Sequence, residues 1–133
     1  MKPDIHTIIL LFTGVFSSIL FIQSALDKVF NWKSEMDFNK EHFSKTFLSP
    51  TVPMMLVVLT LMELSSGLLS VAGLFMLWRT GETTILFYAS CLCSTTFLAL
   101  FFGQRIAKDY GGAQVLVSYF IVALIAVYFS FPG

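Results

Sequence analysis

Residues 56–69, LVVLTLMELSSGLL, are apolar enough for the interior of a lipid bilayer, yet they carry a carboxylate, Glu63. They belong to an apolar segment that extends over residues 52–78. Each apolar segment of this chain approaches or exceeds the roughly 20 residues that a helix needs to cross a bilayer. We therefore predict an all-α integral membrane protein, a four-helix bundle. The other three segments are residues 5–26, 83–102 and 115–131.

The composition supports a membrane protein and excludes several other classes. The 133 residues are 56% hydrophobic and 12% charged, and the mean hydropathy is +0.82, well above that of soluble domains. The formal net charge of zero gives no indication of nucleic-acid binding. The length suits one transmembrane domain, residues 1–133, and short connections make successive helices antiparallel neighbours. The expected helices cover about 5–28, 52–78, 83–106 and 112–131.

The first segment has some features of a signal peptide, because Lys2 precedes its apolar run. The run is long, however, and cleavage after Ala25 would place Gln23 where a small residue is preferred. We therefore expect it to remain as a membrane helix.

The connection after the first segment predicts an additional helix within residues 31–48. Apolar residues recur there at spacings near 3.6, and charged residues fill much of the remaining circumference. This pattern is typical of a short amphipathic helix that lies in the membrane interface, and Pro50 requires it to end. It could serve as a lid or a docking face, or it could be a linker that buries its aromatic side chains among lipid headgroups. The apolar positions are Trp32, Met36, Phe43 and Phe47.

Glu63 shares one face of its helix with small and polar residues, while bulky apolar residues occupy the opposite side. Small and polar residues favour contact between helices, and an exposed charge at that depth in lipid is costly. We therefore predict that Glu63 points into the bundle. The face comprises Thr60, Glu63, Ser66, Gly67, Ser70 and Gly73.

Three states of Glu63 are compatible with burial about 16 Å deep, counted at 1.5 Å per residue from position 52. The carboxyl group could be protonated, it could be ionised beside Lys28 or Arg105, or it could accept hydrogen bonds from neutral side chains. Its role could be a polar clasp between helices, a contact to a quinone or another small molecule, or a step in a proton relay. The candidate intramembrane site comprises Gln23, Lys28, Glu63, Thr95, Gln104, Arg105 and Tyr119.

The remaining reactive side chains predict neither a catalytic centre nor a metal site. Cys91 and Cys93 are two positions apart, so they project about 200° apart on a helix and are expected to be buried structural thiols. His6 and His42 are far apart in the chain, without metal-ligand spacing. No phosphate-binding loop or nucleophile motif is present.

Three stretches of the chain resemble the DoxX family of small four-helix bacterial membrane proteins. They are FIQSALDKVFNW (21–32), LMELSSGLLSVAGL (61–74) and LFFGQRIAKDYGGA (100–113). The third is similar to a bacterial DoxX-like subgroup. On these motifs, Lys28 corresponds to the family's basic residue at the end of the first helix, and Glu63 to its acid in the second.

The resemblance implies a multi-pass protein of the bacterial cytoplasmic (inner) membrane. The family name comes from a subunit of a terminal oxidase and thiosulfate:quinone oxidoreductase system, and other members are thought to be accessory subunits. We therefore expect a small non-catalytic subunit, in contact with lipids and other membrane proteins, in preference to an enzyme. The alternative is a quinone- or lipid-binding subunit of a membrane oxidoreductase. No cofactor other than a quinone or lipid is implied.

The distribution of basic residues predicts the orientation in the membrane. The first and third connections are richer in lysine and arginine than the N-terminus, the second connection and the C-terminus. Because positively charged loops favour the cytoplasmic side, we expect these two connections in the cytoplasm. Cysteines introduced at Lys40 and Glu82 test this in intact cells with a permeabilised outer membrane. Glu82→Cys should react with an impermeant thiol reagent and Lys40→Cys should not, whereas the opposite pattern reverses the orientation. The basic residues are Lys28, Lys33, Lys40, Lys45, Arg105 and Lys108 against Lys2 and Arg79.

Overall fold

The computed structural model describes residues 4–133 as an all-α protein, as predicted, and this part of the chain contains no β-strand. A 3₁₀ turn at Ser49–Thr51 leads into the third helix. The helices begin and end close to the expected positions. They are α1 (Ile5–Phe30), α2 (Trp32–His42), α3 (Val52–Thr80), α4 (Thr84–Ile106) and α5 (Tyr110–Ser130).

Four of the helices, α1, α3, α4 and α5, are long and apolar enough to cross a membrane. Large apolar side chains cover the outside of the bundle, including Phe12 on α1, Phe75 on α3 and Tyr128 on α5. Such a surface is unfavourable in water and well suited to acyl chains. The protein is therefore a multi-pass membrane protein.

The four long helices form a ring in which α1 packs on α3 and α5, and α4 packs on the same two helices. The start of α1 meets the end of α5, where the rings of His6 and Phe129 are 4.9 Å apart. An apolar cluster at this end contains Leu10, Leu77 and Leu86. The start of α1 and the end of α5 therefore lie at the same end of the bundle.

Helix ends coincide with residues that satisfy free backbone groups. The carboxylate of Asp4 accepts a hydrogen bond from the backbone N–H of Thr7 at 2.8 Å, and this bond lowers the pKa of Asp4. Asp109 caps α5 in the same way through the N–H of Gly112 at 3.0 Å. Gly81 ends α3 with φ +75°, a conformation that glycine adopts without strain.

The predicted helix within residues 31–48 is present as α2, but it ends at His42 rather than near Leu48. Beyond it the hydroxyls of Ser44 and Thr46 donate to the carbonyls of Glu41 and Phe43. These local bonds compete with helical hydrogen bonding and favour turns. Of the predicted apolar positions, Phe43 is buried and Phe47 is exposed, because the chain has left the helix before Phe47.

Gly73 lies where α3 and α4 approach each other closely. A Cβ atom added there would lie 2.8 Å from the backbone nitrogen of Leu86. Backbone atoms cannot yield without moving the whole helix, so this position requires glycine. Gly14 differs, because the nearest atom to an added Cβ is the terminal Cδ2 of the Leu74 side chain.

We predict that Gly73→Ala destabilises the bundle more than Gly14→Ala does. Overpacking at Gly73 should lower the free energy of unfolding by about 1–3 kcal/mol. At Gly14 the Leu74 side chain can rotate aside, so the loss should be smaller. Thermal unfolding of both variants in detergent, followed by circular dichroism, measures the difference. Equal losses would contradict this account of the contact between α3 and α4.

Candidate functional site

The polar face of α3 is buried in the bundle, as its spacing predicted. All six positions of this face are buried, and Glu63 is only 1% exposed. The hydroxyls of Thr60 and Ser70 donate to carbonyls one turn earlier in the same helix, at 2.7 and 2.8 Å. These hydroxyls therefore need no partner on another helix. An ionised carboxylate cannot donate to a backbone carbonyl, so Glu63 requires a donor or a cation from another helix.

Lys28 of α1 provides the partner of Glu63. Its Nζ lies 3.0 Å from Glu63 Oε1, and the lysine side chain is 14% exposed. At this distance the two oppositely charged groups form an ion pair. Nζ also donates to Ser24 Oγ at 3.1 Å. In surroundings of low polarity, two opposite charges at this distance attract strongly and link α1 to α3.

Arg105, the other cation that we considered, lies elsewhere. It is exposed, and its guanidinium carbon sits 4.5 Å from the centre of the Tyr110 ring in a cation–π contact. The long side chain that reaches inward is therefore that of Lys28.

Two predicted neutral partners, Gln23 and Thr95, lie on the outside of the bundle. Thr95 is exposed and its hydroxyl donates to the Cys91 carbonyl at 2.9 Å. The next residue, Thr96, is fully buried and its hydroxyl lies 3.1 Å from that of Ser66 on α3. One residue rotates a helix by about 100°, and the depth estimate could not determine which threonine faces inward.

The other two predicted partners have different contacts. The Tyr119 ring packs against Phe97 and Phe16, with centroids 5.7 and 5.8 Å apart, and belongs to the aromatic core. The Gln104 side chain pairs with His42 of α2. Of the six candidate partners, the structure thus brings Lys28 to Glu63.

The two cysteines have different surroundings. Cys93 is buried as expected, with Sγ 3.7 Å from the hydroxyl of Ser70. Cys91 was also expected to be buried, but it is only partly buried. Both thiols are free, in agreement with their divergent positions on α4. Cys93 thus acts as a small core residue between α3 and α4.

A cleft of about 480 Å³ lies beside the ion pair, beneath α2. Its volume is within the usual range for sites of small molecules, about 300–1,000 Å³. Helix α2 covers it, α3 and α4 form its apolar walls, and Lys28 is part of its lining. The polar residues that line it are Lys28, Glu35, Asn39, His42 and Gln104, and its apolar lining includes Phe38, Phe43, Met54, Met55, Met62 and Leu100.

His42 connects α2 to the elements on the other side of this cleft. Its Nε2 lies 2.8 Å from Gln104 Oε1 and 3.9 Å from Asp109 Oδ2, at the end of α4 and the start of α5. No sequence pattern indicated a role for His42, because its partners are more than 60 positions away in the chain. The amphipathic pattern of α2 was the only signal that this segment covers the bundle.

Within residues 4–133, no group of three or more histidine, cysteine, aspartate or glutamate side chains could hold a metal ion. Comparisons with protein-family models, with curated proteins and with solved structures give no match. The site is therefore interpreted from its geometry: a buried ion pair that adjoins a covered, largely apolar cleft.

We predict that the contributions of Lys28 and Glu63 to the free energy of unfolding depend on each other. Lys28→Met leaves a buried carboxylate without its partner and should lower the free energy of unfolding by about 3–5 kcal/mol. The double variant Lys28→Met/Glu63→Leu removes both charges and should recover most of this loss. Glu63→Gln should keep the fold, because an amide can still hydrogen-bond, whereas Glu63→Leu should lower the thermal stability.

A double-mutant cycle on the purified protein in detergent measures the coupling. Arg105→Met is the matched control, since it removes an exposed cation from the neighbouring part of the bundle. Additive losses for Lys28 and Glu63 would show that the ion pair does not stabilise the fold.

Proposed function

We propose that this chain is a small, non-catalytic subunit of a larger complex in the bacterial cytoplasmic membrane, similar to accessory proteins of the DoxX family. The observation that carries the proposal is the engagement of Glu63 by Lys28 at 3.0 Å. An acid that is already paired inside the bundle is suited to holding helices together, and poorly suited to transferring protons.

The other buried polar groups support a structural interior. The hydroxyls of Ser18, Ser90 and Ser130 each donate to a carbonyl of their own helix, one turn earlier in the chain. Such bonds satisfy the hydroxyl within its own helix. The surfaces that contact other subunits are then the apolar outer faces and α2.

A second candidate function is quinone or lipid binding for a membrane oxidoreductase. The specific observation in its favour is the cleft beneath α2, which combines apolar walls with a few polar groups. That combination is typical of sites for amphiphilic ligands. The two functions are compatible, since a subunit can hold a lipid-like molecule for its partner.

Native purification tests the first proposal. The tagged chain, expressed at its normal level and extracted in a mild detergent, should migrate in a native gel with a membrane partner in fixed stoichiometry. The lysine-to-methionine variant at Lys28 should reduce the amount of complex, because the bundle is weakened. Migration as a single chain or as copies of itself in several detergents would contradict the subunit proposal.

A further inference from the structure

We infer that the cleft beneath α2 binds an uncharged amphiphile, whose carbonyl or hydroxyl oxygen accepts a hydrogen bond from Lys28. The inference rests on the second candidate function and names the chemical class of its ligand. Three features of the cleft lead to it: a lysine with spare hydrogen-bonding capacity, an excess of negative charge, and flexible apolar walls.

The ammonium group of lysine has three N–H donors. In this protein Ser24 accepts one hydrogen bond from Lys28, and Glu63 provides the ionic contact. At least one donor is left, and Lys28 is part of the cleft lining. An oxygen of a bound molecule can therefore accept from this donor without breaking the ion pair.

The charges around the cleft disfavour an anion. Glu63 neutralises Lys28, and Glu35 adds a second carboxylate to the cleft lining. The formal charge of these three groups, one lysine and two glutamates, is −1. A carboxylate or phosphate headgroup would be repelled by this charge or would have to displace Glu63 from Lys28. A neutral carbonyl or hydroxyl is not repelled by this charge and does not have to displace Glu63.

The walls suit an aliphatic or aromatic body. Three methionines of α3, Met54, Met55 and Met62, line one side. Methionine side chains are flexible and polarisable, so they adapt to ligands of different shapes. Phe38 and Phe43 from the covering segment complete the apolar lining.

Two probes with the same ten-carbon chain test the charge preference, namely uncharged 1-decanoylglycerol and anionic decanoate at pH 8. Equilibrium dialysis of the radiolabelled probes against the protein in nanodiscs, with empty nanodiscs subtracted, measures binding. We expect saturable binding of one 1-decanoylglycerol per chain, and at least tenfold weaker binding of decanoate. Equal or stronger binding of decanoate, or no saturable binding of either probe, would overturn the inference.

Variants locate the site. Met62→Trp should fill the cleft and abolish binding of 1-decanoylglycerol, while Met76→Trp is the matched control on the same helix outside the cleft lining. The double variant Lys28→Met/Glu63→Leu should bind 1-decanoylglycerol at least fivefold more weakly, because the donor is lost. If Met62→Trp binds like wild type, the site lies elsewhere and the inference is wrong.

The binding assay uses the isolated chain, so its outcome is independent of the complex sought by native purification. Failure of the binding prediction with a stable complex present would leave the subunit proposal intact. Binding of 1-decanoylglycerol without any complex would instead remove the subunit proposal and retain the cleft as a ligand site.

Discussion

A carboxylate in the middle of an apolar helix must find a partner, and this requirement organises the bundle. Glu63 is almost completely buried, and a charge in that position without a counter-ion would be strongly destabilising. Lys28, in the last turn of α1, provides that counter-ion. The ion pair fixes the depth of α1 relative to α3, since sliding either helix would separate the charges.

Close helix packing accompanies the ion pair. Small residues on α3 allow the backbones of α1 and α4 to approach, as seen at Gly67 beside Ile22 and at Gly73 beside Leu86. In lipid, helices associate through such close packing and through polar contacts, because the bilayer already shields apolar side chains from water. A hydrogen bond between the buried hydroxyls of Ser66 and Thr96 also connects α3 to α4.

The two ends of the bundle differ in polarity, and this difference determines where a ligand could bind. One end is closed by leucines and by the His6–Phe129 contact. The opposite end combines the ion pair, the His42–Gln104 contact and the cleft under α2. The amphipathic segment thus covers this end of the bundle. Lys33, Asp37 and Lys40 of α2 are exposed, whereas Glu35, Asn39 and Phe43 line the cleft.

The sequence by itself determined the number of membrane helices, their bounds within a few residues, and the buried face of α3, because periodicity and hydrophobic length directly reflect burial in lipid. It also identified Glu63 as an interior residue. Only the tertiary structure decided among the candidate partners, since Thr95 and Thr96 differ by one helical step and His42 meets Gln104 across a long separation in the chain. Rotation of one helix relative to another depends on packing between distant segments, and local sequence patterns do not encode it.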